Sequence, residues 1–221
     1  MTETFDDANF HIKYCLNFIK KYLKGDIAEI GAGCGSFTRH YLNENIASLT
    51  LTEKDEKNID ILNGKYINKK FITVTKKTIY ELEKKFDTIL YLHVLEHIKE
   101  DEKEIEEASK KIKNDGILII MAPAHQKMYS NLDKNVGHFR RYEKEFFEKK
   151  ISSMQKIDFK YLDSSGYILY KLNKLFFKKE DYPSKLKIFI WDKIFTPVSA
   201  ILDFILGYRL GKCILAIYRK V

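Results

Sequence analysis

The chain has 221 residues, of which 45% are hydrophobic and 32% are charged, and this composition is typical of a folded globular protein rather than a disordered one. A chain of this length can bury a substantial core, so we expect residues 1–221 to form a single domain. The formal net charge is +8, but the lysines are scattered along the whole chain among acidic residues. This pattern does not favour a nucleic acid partner.

Cysteine usage and the first residues indicate a reducing compartment. Cys15, Cys34 and Cys213 are odd in number and share no C-x-x-C spacing, so neither a disulfide framework nor a zinc knuckle is indicated. Residues 1–7 are acidic and lack the basic and apolar parts of a signal peptide. We therefore expect a cytoplasmic protein.

The first predicted element is a helix over residues 9–23, in which apolar side chains recur at helical spacing and Gly25 follows as a C-cap. Residues 26–38 then read as a short apolar strand, a turn with glycine at every second position, and the start of a helix. Gly31, Gly33 and Gly35 would let the backbone approach a ligand more closely than a Cβ permits. The order of strand, glycine turn and helix predicts a nucleotide-like ligand at this turn.

The spacing of the turn excludes one class of ligand site. The G-x-G-x-x-G fingerprint of dinucleotide sites requires glycine at position 36, where this chain has Ser36. The next predicted strand, over residues 47–52, ends at Glu53. A carboxylate in this position can accept hydrogen bonds from both hydroxyls of a ribose.

Three further strands are predicted over residues 71–75, 86–92 and 117–123, the last after a turn at 114–116. The charged segment 99–113 between the last two reads as a surface helix packed on a sheet. Five strands alternating with helices predict a doubly wound parallel sheet that binds ligands at the carboxyl ends of its strands.

The carboxyl-terminal third is predicted to contain a helix over residues 142–154, a sixth strand over 156–162 and a helix over 197–206. Thr196 would be the N-cap of this last helix and Gly207 its C′ residue. Residues 186–206 are too often interrupted by charged residues and proline to span a bilayer. They could lie on a membrane surface or cover a lipid-like acceptor, but a lid packed on the sheet or a dimer face is favoured.

Several motifs occur in a fixed order along the chain: E-x-G-x-G-x-G over residues 29–35, Glu53 after the second strand, F-D at 86–87, L-E-H-I at 95–98 and K-N-D-G at 113–116. Over about residues 26–150 they resemble the class I S-adenosylmethionine-dependent methyltransferases. The phrases L-E-H and G-H-F-R-R-Y, at 95–97 and 137–142, are similar to those of bacterial small-molecule methyltransferases.

This resemblance implies an α/β, Rossmann-like, doubly wound sheet of seven strands. The seventh strand, expected at 212–218, would be antiparallel, and a helical insertion or lid over 163–211 would precede it. S-adenosylmethionine would be the cofactor. Its binding residues would be Glu29, Gly31, Ala32, Gly33, Gly35, Glu53, Lys54, Leu92 and His93.

Within this set, Gly31, Gly33 and Gly35 would approach the methionine and ribose portions, and Glu53 would bind the ribose hydroxyls. Leu92 and His93 would lie along the cofactor. Glu29 would support the turn or meet the cofactor's ammonium group.

The predicted catalytic residues are His97 and His138, because an imidazole has a pKa near neutrality and can remove a proton from an acceptor hydroxyl. His97 could instead only anchor its helix. Glu96, His97 and His138 also have chemistry that suits a metal ion, in an arrangement similar to that of small-RNA 3′-terminal 2′-O-methyltransferases. This chain departs from that pattern because it has His93 in place of a carboxylate, and we assign no metal ligand.

The expected reaction is in-line methyl transfer to a small-molecule, sugar-linked or lipid-linked acceptor, at an oxygen. Two alternatives stay open: an RNA ribose 2′-O-methyltransferase, with or without a metal ion, and a non-catalytic cofactor-binding protein. Arg140 and Arg141 suggest an anionic acceptor, unless they pair with Asp133, Glu143 or Glu145 to hold their own loop.

Overall fold

The structure is a computed structural model that describes residues 8–43, 45–149, 151, 153–176 and 184–221. Residues 1–7, in which no export signal was predicted, lie outside the described residues, as do residues 177–183 of the predicted insertion. The strands are β1 Gly25–Ile30, β2 Ile46–Thr52, β3 Ile72–Thr75, β4 Phe86–Leu92, β5 Ile112–Pro123, β6 Met154–Leu162 and β7 Cys213–Lys220.

Eight α-helices among the described residues alternate with the strands or follow them. They are α1 Asn9–Asn17, α2 Thr38–Tyr41, α3 Glu56–Tyr66, α4 Asp101–Lys110, α5 Asn131–Asn135, α6 Ser164–Phe176, α7 Lys185–Ile190 and α8 Thr196–Ile205. Short 3₁₀ helices occupy Lys20–Tyr22, Ile79–Glu81, Leu95–His97, Gln126–Met128 and Lys144–Glu148, and a π-helical turn occupies Trp191–Phe195.

All seven strands belong to one sheet in the order β3-β2-β1-β4-β5-β7-β6. Strands β1 to β5 pair in parallel, whereas β7 pairs antiparallel with both β5 and β6. The predicted doubly wound sheet, with an antiparallel last strand and helices before it, is confirmed. Because the chain order reverses between β1 and β4, the carboxyl ends of these two strands border the crevice where such sheets bind ligands.

Side chains on successive strand residues point to opposite faces and build two cores. Ile27 of β1 and Leu90 of β4 face the side covered by α1 and α3, where Leu16 and Leu62 complete the packing. On the other side, Ala28 and Ile89 pack with Ile105 of α4 and with Phe147. Both faces of the sheet are therefore covered, as the continuous apolar strands predicted.

The first helix is shorter than the predicted 9–23. α1 ends at Asn17, where the Phe18 N–H donates to Cys15 O, and the 3₁₀ turn Lys20–Tyr22 follows. This tighter turn still places Ile19 and Leu23 in the core. Gly25 is not a C-cap but the first residue of β1, with φ of +71°.

The helix predicted over 142–154 does not form among the described residues of this range, which exclude 150 and 152. Tyr142 forms a parallel bridge with Ala124, and its hydroxyl donates to Asp101 at 2.8 Å. These bonds hold the chain extended beside the end of β5, and only the 3₁₀ turn Lys144–Glu148 follows. Phe147, which lies in this turn, still packs in the core.

The surface helix predicted over 99–113 is also shorter, because α4 ends at Lys110 and Ile112 already pairs with Phe86 as the first residue of β5. The predicted turn at 114–116 is a bulge inside β5, where the pairing resumes from Ile117 to Thr88. A Cβ on Gly116 would lie 2.8 Å from the carbonyl oxygen of Lys113, so the bulge requires glycine.

Thr196 is not a helix N-cap. Helices α7 and α8 join through the π-helical turn into one continuous helix over 185–205, and the Thr196 hydroxyl donates back to Trp191 O at 3.4 Å. Gly207 is the C′ residue, as predicted, with φ of +59° and with its N–H donating to Phe204 O. No helix in the described ranges is long and apolar enough to cross a membrane.

Candidate active site

The turn after β1 packs directly against the segment after β4. The two strands pair from Ile27 with Thr88 to Ile30 with Tyr91, so their carboxyl ends lie side by side. Gly31 has φ of +65°, and a Cβ there would lie 2.8 Å from Val94 Cγ1. Glycine at this position therefore lets the turn after β1 pack closely on the segment after β4.

Gly33 has the opposite environment. Its φ is +57°, and no atom lies within 4 Å of the position that a Cβ would take. Its N–H donates to Glu53 Oε2 at 2.7 Å. The backbone thus presents an open approach beside a carboxylate, and this combination fits the ribose and methionine portions of S-adenosylmethionine.

Glu53 lies at the end of β2, beside the glycine turn, and its contact with a ribose stays a prediction. Oε1 accepts hydrogen bonds from the backbone N–H groups of Lys54 and Asp55, and Oε2 accepts from Gly33. These bonds fix the carboxylate at the end of β2 and leave acceptor capacity for a ligand. The Lys54 side chain is exposed at the rim.

Glu29 is buried and structural within the protein. Its Oε2 accepts hydrogen bonds from the hydroxyls of Thr38, at 2.6 Å, and Tyr41, at 2.5 Å. Burial raises the pKa of Glu29 to about 7, although these two hydrogen bonds oppose the shift. Glu29 therefore ties β1 to α2, which agrees with the predicted supporting role.

Three other predicted cofactor residues differ in exposure. The side chains of Ala32 and Leu92 are buried in the core. His93 follows at φ of +59°, a strained left-handed conformation, and its N–H donates to Met121 O. Its ring lies 6.1 Å from the ring of Phe37. Of the three, His93 is the residue whose side chain reaches the crevice.

Glu96, His97 and His138 converge on the acceptor side. Glu96 and His97 lie in the 3₁₀ turn Leu95–His97 rather than on an α-helical face shared with His93, because α4 begins only at Asp101. The His97 and His138 rings meet edge to face with centroids 4.6 Å apart. His138 Nε2 lies 3.9 Å from Glu96 Oε1. Burial lowers the pKa of His97 below its ordinary value, so its ring is neutral at neutral pH.

Asp133 fixes the orientation of His138. Its Oδ1 lies 2.9 Å from His138 Nδ1, and both carboxylate oxygens accept from Arg141, at 2.8 and 3.0 Å. Burial opposes ionisation, but the hydrogen bonds from His138 and Arg141 hold the pKa of Asp133 well below its usual range. Because an ionised carboxylate only accepts, Nδ1 carries the proton, and Nε2 of the neutral ring has the free lone pair.

A cavity of about 540 Å³ connects these two sides. Ser36, Phe37 and His93 line it next to the glycine turn, while Glu96, His97 and His138 line the acceptor side. Its apolar walls include Leu132, Val136, Leu169, Ile188 and Trp191. The structure thus brings His97 and His138 to the same space as His93, whereas Gly33 and Glu53 lie at the adjoining turn.

The two arginines have protein partners. Arg141 pairs with Asp133, as one of the sequence interpretations stated, and Arg140 pairs with Asp101 at 2.7 Å. Arg141 Nη1 is buried without a hydrogen-bond partner, and the residue lines the cavity. Arg141 therefore holds its loop and contributes to the cavity wall.

Sequence reasoning missed the polar residues that the helical segment brings to the cavity. Asp163, at φ of +67°, accepts hydrogen bonds from Ser199, Gly166 and Trp191. Lys212, just before β7, faces the same cavity, and burial lowers its pKa. The pair lies 49 positions apart in the chain and has no motif spacing, so no sequence signal could have found it.

Comparison with known proteins identifies the kind of domain that carries this site. Residues 28–120 match the family model described as a methyltransferase domain. This match confirms the predicted enzyme class, a methyltransferase. No characterised protein matches the chain significantly in sequence. The finer resemblance, to bacterial enzymes with the L-E-H and G-H-F-R-R-Y phrases, stays a prediction.

Solved structures share the fold at low sequence identity. An S-adenosylmethionine-dependent methyltransferase from Archaeoglobus fulgidus is 17% identical, with a TM-score of 0.62 over 95% of this chain and 93% of that one. The N-methyltransferase NodS from Bradyrhizobium japonicum, solved with S-adenosylhomocysteine, is 14% identical, with a TM-score of 0.56 over 95% and 85%. A third similar chain comes from a complex of the Haloferax volcanii Trm112 methyltransferase activator with a methyltransferase. It is 10% identical, with a TM-score of 0.67 over 98% of this chain and 92% of that one.

The buried carboxyl of Glu29 generates a stability prediction. Its pKa is about 7 in the folded protein against 4.5 in the unfolded chain, so between these pH values the folded state holds a proton that the unfolded chain releases. The free energy of unfolding therefore loses about 3 kcal/mol from this group as pH rises through that window. Glu29→Gln keeps an acceptor for Thr38 and Tyr41 and should remove this loss.

Urea unfolding at pH 4.5 and pH 7.5 measures the effect. Glu83→Gln, at an exposed carboxylate that faces Lys77, is the matched control and should follow the wild type. Identical pH dependence in the wild type and Glu29→Gln would show that Glu29 is ionised throughout.

Proposed function

We propose that the protein transfers a methyl group from S-adenosylmethionine to an oxygen of a small-molecule, sugar-linked or lipid-linked acceptor, with His138 as the general base. The observation that carries the proposal is the anchored imidazole of His138. Asp133 holds its Nδ1–H, and its Nε2 lies in the cavity that adjoins the glycine turn. This is the arrangement that a hydroxyl acceptor requires.

The residues of the glycine turn supply the cofactor half. Gly33 leaves space for a ligand at the backbone, and Glu53 offers a carboxylate for two adjacent hydroxyls. The bound cofactor supplies an electrophilic methyl group. Phe37 and His93 line the cavity next to this turn, so an acceptor in the cavity would lie between donor and base.

The charges around His138 suit a base that gains a proton. Nε2 would take the proton of the acceptor hydroxyl as the oxygen attacks. The imidazolium would then lie between the carboxylates of Asp133, 2.9 Å from Nδ1, and Glu96, 3.9 Å from Nε2. Two carboxylates stabilise the charged ring without a further movement of the protein. His97, packed edge to face on His138, limits the rotation of that ring.

The size and lining of the cavity support an acceptor of small-molecule dimensions. A volume of about 540 Å³ lies within the usual range for small-molecule pockets, and the walls are mostly apolar. Arg141 and Lys212 add two basic residues to this lining. An acceptor with an apolar body and a polar or anionic end matches this lining, whether it is free or linked to a sugar or lipid.

A second candidate chemistry is metal-assisted methyl transfer. Ligand atoms of Glu96, His97 and His138 all lie within 4.8 Å of one another. Glu96 Oε2 is buried without a hydrogen-bond partner, which is unusual for a carboxylate oxygen. Asp133 on the far nitrogen of His138 also matches the outer-shell carboxylates of metal-bound histidines. One carboxylate and two imidazoles suit zinc or another transition ion.

Replacement of the base tests the first candidate. His138→Gln should lower kcat by about 10² to 10⁴-fold, because the hydroxyl loses its proton acceptor, and should leave cofactor affinity unchanged. S-adenosylhomocysteine release during a screen of candidate acceptors measures turnover. His40→Gln, at a half-exposed histidine of α2, is the control and should keep full activity. Undiminished turnover in His138→Gln would exclude His138 as the base.

Chelation separates the two chemistries. With His138 as a simple base, dialysis against EDTA should change neither turnover nor its pH profile. Loss of turnover on dialysis, restored by stoichiometric zinc, would establish the metal-assisted alternative instead. Calorimetric titration with zinc gives an independent readout, because Glu96→Gln should abolish any binding at this site.

The open space at Gly33 generates a binding prediction. Gly33→Ala meets no atom of the protein, so it should fold at a cost of about 1 kcal/mol for the left-handed backbone, but its Cβ would occupy the ligand's approach. We expect affinity for S-adenosylmethionine to fall at least about tenfold in calorimetry, or about 1.4 kcal/mol. Gly64→Ala in α3, which also meets no atom within 4 Å, is the matched control. Equal affinities for both variants would place the cofactor elsewhere.

A further inference from the structure

Helices α7 and α8 and the π-helical turn between them form one long helix over 185–205. Unlike an ordinary surface helix, it exposes large apolar residues and buries polar ones. Its exposed side carries large apolar residues, among them Leu186, which is 67% exposed, and Ile205, which is 68% exposed. We call these residues the apolar stripe: Leu186, Phe189, Ile194, Val198, Ile201 and Ile205. The wider turn at Trp191–Phe195 accommodates the five-residue step from Phe189 to Ile194 and keeps the stripe on one side.

The buried side of the same helix is polar. Asp192, Ser199 and Asp203 are at most 2% exposed. Asp192 accepts from the His11 N–H at 2.9 Å, and Ser199 donates to Asp163 at 2.9 Å.

Asp203 makes the most contacts of the buried side. It accepts from the Tyr14 hydroxyl at 2.6 Å and from the backbone N–H groups of Asp163 and Ser164 at 2.8 and 2.9 Å. Loss of the Asp203 carboxylate would leave the buried backbone N–H groups of Asp163 and Ser164 without an acceptor.

These hydrogen bonds fix which side of the helix faces water. A rotation that buried the apolar stripe would break the bonds of all three inward residues. The buried backbone N–H groups that donate to Asp192 and Asp203 would then have no acceptor. The exposed stripe is therefore a consequence of specific buried contacts with α1 and with the start of α6. A continuous apolar surface on a folded protein marks a place where something binds.

The charges beside the stripe identify what binds. Within residues 184–209 the exposed charged residues are Lys185, Lys187, Lys193 and Arg209, all basic. The two acidic residues of the same range, Asp192 and Asp203, are the buried ones. Within the described range 184–209, the exposed charges beside the apolar stripe are therefore all basic. An apolar stripe with such charges, on a helix that lies along the surface, is complementary to an anionic lipid headgroup layer.

We propose that the apolar stripe and its flanking lysines dock the protein on the surface of an anionic lipid bilayer. The helix lies in the plane of the interface with the stripe inserted among the headgroups, and the lysines extend to lipid phosphates. A second copy of the chain is a poorer occupant, because a symmetric contact through this side would bring the lysines of both copies together.

Docking places the cavity near the membrane. Lys187, Ile188 and Trp191 of the same helix line the cavity, as do Leu169 and Tyr170 of α6. A lipid-linked acceptor in the bilayer would thus have a short path to His138. The docking itself is independent of the proposed function, since it rests on the surface of the helix and not on the chemistry of the cavity.

Vesicle cosedimentation with the full chain tests the proposal. We expect binding to vesicles of equal parts phosphatidylglycerol and phosphatidylcholine, weak binding to pure phosphatidylcholine, and a decrease in affinity with added salt. Phe189→Glu combined with Ile201→Glu should weaken binding at least about tenfold, because two apolar anchors become anions. Ile67→Glu, at a residue 79% exposed just after α3, is the matched control and should bind as the wild type does.

Three results would overturn the proposal. They are absence of binding to the anionic vesicles, equal binding of the double variant, and a concentration-dependent dimer in sedimentation velocity that the double variant abolishes. Circular dichroism and thermal unfolding verify that both variants fold, and calorimetry with S-adenosylmethionine verifies the cofactor site. Vesicle binding without cofactor binding would retain the docking surface and reject the proposed function.

Discussion

The contact between Gly31 and Val94 is the constraint on which the site depends. β1 and β4 are neighbours at the point where the strand order reverses, and only glycine lets the turn after β1 pack on the segment after β4. This contact joins the turn that carries Gly33 to the segment that carries His93, Glu96 and His97. Cofactor side and acceptor side are thus held by the centre of the sheet and not by mobile loops.

Buried polar contacts decide the rest of the arrangement. Asp133 sets the tautomer of His138, and Glu29 holds α2 at the end of β1. Asp163 and Asp203 perform the same task for the helical segment, where they tie α6 and α8 to α1 and leave the apolar stripe outward. In each case a carboxylate with several fixed donors specifies one geometry.

The sequence predicted the sheet well because its strands are short apolar runs bounded by turn residues, and β4 was placed at its observed bounds. It predicted that His97 and His138 face one crevice, because parallel strands end at one edge of the sheet. It failed for residues 142–154, where the bonds of Tyr142 to Pro123 and Asp101 override helical spacing. It also failed to foresee that Asp203 is buried and Ile201 exposed, since the partners Tyr14 and Asp163 are distant in the chain.

The central claim is that the glycine turn holds the methyl donor at the wall of the cavity that contains His138. A crystal structure with S-adenosylhomocysteine tests it most directly, through the position of the ligand's sulfur atom. We predict the ribose hydroxyls on Glu53, the backbone of Gly33 against the ligand, and the sulfur at the Phe37 and His93 wall, facing His138 Nε2. A ligand bound away from Gly33 and Glu53, or a sulfur directed away from the cavity, would contradict the account.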